Sequence, residues 1–81
     1  MDNQVAEIIV LTQEQAEEVI DALKTLIAGY KMARVSDLYD LVGLKAKFTD
    51  GHHGWKDLST ASVKRVSEGY LLELPKTELL D

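Results

Sequence analysis

Cysteine is absent from the 81 residues and proline occurs once, at Pro75. A chain without cysteine has no disulfide framework and no thiolate zinc site, which fits a reducing compartment better than a secreted mini-protein. Long apolar runs are missing too. The longest, Ile8 to Leu11, is far short of the roughly 20 residues a membrane span requires, and the opening Met1-Asp2-Asn3-Gln4 has no basic leader segment. No membrane role is expected, and the expected location is the cytoplasm. Phosphate-binding glycine loops and dinucleotide fingerprints are likewise absent. Neither Ser59 nor Ser62 sits in a nucleophile-elbow context that would make it a catalytic serine. These absences predict a protein that binds something, with no enzymatic activity, no cofactor and no small-molecule substrate.

What is present is ordinary globular composition, 46% hydrophobic and 28% charged, enough for one core but not for two. A single domain is expected, ordered over residues 5–75 with a loose tail at 76–81. The net charge of −5 is unevenly spread. Residues 1–29 carry Asp2, Glu7, Glu14, Glu17, Glu18 and Asp21 against Lys24, for −5. Residues 30–65 carry seven basic and four acidic side chains, for +3, and residues 66–81 return to −3. Only the middle third offers a basic surface.

The spacing of residues predicts an α+β fold. The β-branched run at 6–11 reads as a strand with both faces at least partly covered. Thr12 and Gln15 form a capping-box pattern, and Ala16, Val19, Ile20, Leu23, Leu26, Ile27 and Tyr30 recur every three or four residues, the stripe of a long amphipathic helix stopped by Gly29. After an extended link at 31–35, Ser36 is placed to cap a second helix, Asp37–Val42, with Leu38, Leu41 and Val42 inward and Tyr39 toward its flank. Residues 45–56 read as a loop anchored by Phe48 and Trp55, Asp57 as the cap of a short third helix through Ala61, and Val63–Val66 with Tyr70–Leu74 as a hairpin around the three-residue loop Ser67-Glu68-Gly69. A long helix, two short helices and a C-terminal hairpin have the order of a winged helix, although about a dozen residues separate its two central helices. A layered arrangement, with the first strand beside Tyr70–Leu74 and the long helix across the sheet, is the alternative.

The blocks Val35-Ser-Asp-Leu-Tyr-Asp-Leu-Val-Gly43, Thr49-Asp50, Gly54-Trp55, Asp57-Leu58, Val63, Arg65-Val66 and Gly69-Tyr-Leu-Leu-Glu-Leu-Pro75 resemble a group of small proteins encoded by actinobacterial phages, mycobacteriophages among them. The resemblance covers roughly residues 12–80. It implies an accessory protein of a phage or prophage, working in the bacterial cytoplasm or in virion assembly, and it assigns no active site. The group often carries Lys or Asn where this chain has His52-His53, which implies no essential role for the histidines.

Three sets of candidate residues follow. Asp50, His52, His53 and Asp57 have metal-ligating chemistry. Adjacent histidines on a glycine-bounded loop do not converge readily on one ion, so an exposed turn is the favoured reading and no metal is expected. A protein-binding set comprises the acidic helix face, Glu14, Glu17, Glu18 and Asp21, with Tyr39 and Trp55 as aromatic anchors; for Trp55, closing the core is the favoured reading over an exposed anchor. The partner is then a host or virion protein, or a second copy covering apolar surface that so short a chain leaves bare. A nucleic-acid-binding set, used as in a winged helix, comprises Lys45, Lys47, Lys56, Lys64 and Arg65, with Ser59 and Thr60 as hydrogen-bond donors on the third helix. Against it stands a pI near 4.9.

Overall fold

A computed structural model describes residues 7–44 and 51–80. Eight elements follow in order: β1 (Ile9–Val10), α1 (Gln13–Tyr30), β2 (Ala33–Arg34), α2 (Val35–Val42), β3 (His53–Trp55), β4 (Ser62–Val66), β5 (Gly69–Glu73) and β6 (Glu78–Leu79). They form two antiparallel three-stranded sheets, β1-β5-β4 and β2-β3-β6. Helix α1 lies between them in the packing, touching β1, β4 and β5 of the first sheet as well as β2 and α2. The fold is therefore α+β, and neither helix is long and apolar enough to cross a membrane among the described residues.

The apolar stripe explains α1's position. Ala16, Val19, Ile20 and Leu23 are buried, with Leu26 and Ile27 partly so. The Thr12 hydroxyl accepts from the Gln15 N–H at 3.0 Å, satisfying one of the donors that a helix start leaves open. The stripe ends earlier than its spacing predicts, because Tyr30 is 73% exposed. Gly29 is not the stop either: the helix runs through Tyr30, and Lys31 takes the left-handed conformation at φ 75°, its N–H bonding the Ile27 carbonyl at 2.8 Å.

The expected link at 31–35 contains strand β2 and the first residue of α2. Ser36 does not cap that helix. Arg34 is the cap residue, and its N–H bonds to the Asp37 carboxylate at 2.9 Å. The helix starts at Val35, two residues earlier than expected; Val35 and Leu38 are buried, Val42 is half-buried and Leu41 is exposed. Tyr39, expected toward the flank, is half-buried and packs against the core.

Two further expectations fail at residues 51–61. Instead of belonging wholly to a loop, His53–Trp55 is the central strand of the second sheet, pairing Gly54 with Arg34 on one side and Glu78 on the other. Asp57 starts no helix: its carboxylate accepts from the Ser59 N–H at 2.8 Å, a local bond that competes with helical geometry. The Ala61 N–H then bonds the Leu58 carbonyl at 3.1 Å, and the chain passes straight into β4. Leu58 is nevertheless buried. The element that would read a groove in a winged helix is thus a turn. The hairpin is present, but with a two-residue loop, since Val66 pairs with Gly69.

Residues 76–80 are not a loose tail. Thr77 is buried, β6 pairs with β3, and the Leu80 N–H bonds the His52 carbonyl at 2.8 Å. Pro75 contributes as well, because its carbonyl accepts the Trp55 indole N–H at 2.8 Å. With that polar atom satisfied, Trp55 is only 1% exposed. Two glycines permit close approaches: a Cβ on Gly54 would run into the Ala33 carbonyl oxygen, and one on Gly69, whose φ is +148°, into that of Val10.

Truncating Leu23 to Ala is expected to cost about 2–5 kcal/mol in denaturant unfolding, as for other fully buried leucines. Gly54→Ala, which presses a methyl group against backbone, is expected to cost at least the roughly 1–3 kcal/mol of ordinary overpacking.

Candidate interaction surface

The candidate residues divide among separate parts of the surface. Glu14, Glu17, Glu18 and Asp21 are exposed on α1 as the helical periodicity requires, with Glu17 accepting from the Gln13 side chain at 3.1 Å. Trp55, the other proposed anchor, is buried and is not available to a partner. The protein-binding set therefore loses Trp55 and keeps the acidic helix face with the half-buried Tyr39.

Of the nucleic-acid set, Lys45 and Lys47 lie outside the described residues, as do Phe48 and Asp50. Lys56, Ser59, Thr60, Lys64 and Arg65 are exposed. Lys64 and Arg65 are successive residues of β4, so their side chains leave opposite faces of the sheet. Lys64 stands in a row with Leu71 and Ile9, Arg65 in a row with Tyr70 and Val10. Ser59 and Thr60 occupy the turn after Asp57, not a helix. Lys64 and Arg65 therefore do not share a face. The Ser59 N–H holds the Asp57 carboxyl below its usual range, with further lowering from the Ser59 hydroxyl and from Lys24 against a small opposing effect of burial.

His52 and His53 are both half-buried, not part of an exposed turn. His53 belongs to β3, with Nδ1 buried and unbonded. Among the described residues, no three His, Asp or Glu side chains gather where they could hold a metal ion.

The surface that stands out is one the residue patterns do not announce. Strand β1 is at the edge of the first sheet. Val10 pairs with Tyr70, and the Leu72 N–H bonds the Ile8 carbonyl at 3.0 Å. Antiparallel alternation therefore turns the peptide groups of Ile8 and Val10 toward β5 and those of Ile9 away from it. Among the described residues, none hydrogen-bonds that outward N–H or C=O. Alongside runs a groove of about 350 Å³, bounded by Glu7 to Leu11 and Gln15 on one side and by Val42 and Leu44 on the other. Beside the exposed polar residues Glu7 and Gln15, three apolar side chains are bare on it: Leu11 is 81% exposed, Leu44 47% and Ile9 39%. The two faces of the 6–11 run, both expected to be at least partly covered, are covered unequally. Ile8 and Val10 enter the core, while Ile9 and Leu11 remain outside. The run of four apolar residues concealed this alternation.

Gly69 makes the edge possible. The side-chain-free backbone lets β1 lie against the hairpin, and an added Cβ would also come within 3.3 Å of Ile9 Cγ2.

No family model, curated protein or solved structure matches this chain.

The folded-state lowering at Asp57 has a defined sign. Its contribution is fully present above the unfolded value and is lost as pH falls through the lower folded value. Asp57→Ala is therefore expected to lower the melting temperature at pH 7, and the difference from wild type to begin shrinking below about pH 4 and to be lost only below the lower folded value. Parallel thermal melts across that range check this.

Proposed function

We propose that this protein is a non-enzymatic interaction module whose docking surface is the β1 rim. The observation that carries the proposal is the coincidence, in one place, of an open strand edge with the bare side chains Ile9, Leu11 and Leu44. Single exposed leucines are common on protein surfaces. An apolar cluster beside unpaired backbone groups is different, because an added strand satisfies the backbone while its side chains cover the cluster. The acidic face of α1, Glu14 to Asp21, belongs to the same reading as a steering surface for a basic partner. The resemblance to small phage accessory proteins supports a partner in the bacterial cytoplasm or in the virion.

Nucleic-acid binding has less support. A winged-helix mode needs a helix before the hairpin and basic groups on a shared face, whereas Ser59 and Thr60 lie in a turn and Lys64 and Arg65 diverge. An overall charge of −5 opposes duplex binding further.

The test compares wild type with the Leu11→Glu, Leu44→Glu double variant by light scattering and by co-purification from bacterial lysate. Surface changes of this kind alter stability by about 0.5 kcal/mol or less each, so unchanged melting with loss of the wild-type complex is the expected result. A wild-type chain that forms no complex with itself or any protein refutes the proposal. So does a salt-sensitive complex with a duplex of about 20 base pairs that persists in the variant, measured at about 50 and 200 mM salt.

A further inference from the structure

Building on the docking surface proposed above, we infer that the strand that covers β1 is β1 of a second copy of this chain, antiparallel to it about a two-fold axis through Ile9.

Among the described strands there are four sheet edges: β1 and β4 in one sheet, β2 and β6 in the other. Three carry a charge within the strand, namely Lys64 and Arg65 in β4, Arg34 in β2 and Glu78 in β6. Charged side chains on an edge discourage pairing with another chain. Only β1, Ile9–Val10, has none. Joining two copies through β1 gives a six-stranded sheet in the order β4-β5-β1-β1-β5-β4, with the basic β4 at both ends. A two-fold contact closes on itself, so the one undefended edge is used up and further growth meets charged edges.

The register is self-complementary. With Ile9 opposite its own copy, the two outward-facing Ile9 peptide groups exchange N–H···O=C bonds, and the next outward pair on each side is Glu7 with Leu11 of the other copy. Ile9, Leu11 and Leu44 come together with their counterparts across the seam. Electrostatics permit this register, although each chain carries −5. Glu7 is the one charged side chain lining the groove. It faces Leu11 of the other copy, and the two Glu7 residues stand about 13 Å apart along the strands, beyond the roughly 8 Å screening length at physiological salt.

The experiment uses the full chain at physiological salt, with light scattering after gel filtration from about 10 μM to about 1 mM. Wild type is expected to shift from monomer to dimer across this range. Ile9→Pro removes an N–H that the single chain does not use, at an outward edge position where proline is tolerated, and is expected to melt like wild type yet remain monomeric throughout. Ile9→Lys, which keeps the N–H but adds like charges at the axis, is expected to do the same, and stands in if the proline variant does not fold. Hydrogen exchange gives an independent readout: the Ile9 amide is expected to be slow in the dimer and fast after dilution. A folded Ile9→Pro variant that still dimerises, or a fast Ile9 amide in the dimer, overturns the strand pairing. A wild type that stays monomeric at 1 mM overturns the dimer; if it still retains another protein through Leu11 and Leu44, the docking surface stands with a different occupant, and if it retains none, both readings fall.

Discussion

The burial of one stripe of α1 is the constraint on which the other elements depend. Ala16, Val19, Ile20 and Leu23 face away from solvent along a helix that touches both the first sheet and the β2–α2 unit. Neither sheet has an extensive apolar face of its own, and strands of two to five residues have little stability in isolation. Each is held because its inward side chains, Ile8, Val10 and Leu72 on one side and Ala33 and Trp55 on the other, meet in the core cluster to which α1 and Leu38 of α2 belong. Removing apolar surface from water at that shared cluster offsets the entropy of ordering several short strands.

A chain of 81 residues has limited means of covering itself. The core uses α1 on one face of the first sheet, and no other described element packs as a layer on the opposite face. Ile9 and Leu11 are left exposed there, beside an edge whose outward backbone groups no described residue pairs. The same smallness accounts for the opposite treatment of Trp55, which lies under the C-terminal segment and bonds the Pro75 carbonyl. One large aromatic inside and one apolar rim outside separate what maintains the fold from what is available to a partner.

Local signals were legible where they matched the final structure. The three- and four-residue spacing from Ala16 to Ile27 and the Thr12 cap belong to one continuous segment, and the hairpin needs only neighbouring residues to pair. The second sheet left little local trace. Its strands have two or three residues, and Gly54 is joined to partners 20 and 24 positions away, Arg34 and Glu78. Gly54 reads as a turn residue, although its missing side chain serves close contact with Ala33. Asp57 also has two local outcomes, helix cap or turn, and pairing of Ser62 with Glu73 commits the chain to a strand soon after it. Among the candidate site residues, the exposure of the acidic helix face was readable from periodicity. The partial burial of Tyr39 and the divergence of Lys64 and Arg65 required helix phase and strand register.

By itself, the sequence determined the α+β class, the long helix and its buried side, the hairpin, and the absence of thiol chemistry, since each depends on residue identity or short-range spacing. Tertiary structure alone decided which strand became an open edge. Residues 8–11 are apolar throughout, so nothing local distinguishes Ile8 and Val10 from Ile9 and Leu11. The distinction comes from pairing with Tyr70 and Leu71, more than fifty residues later, which turns one set toward α1 and leaves the other in solvent.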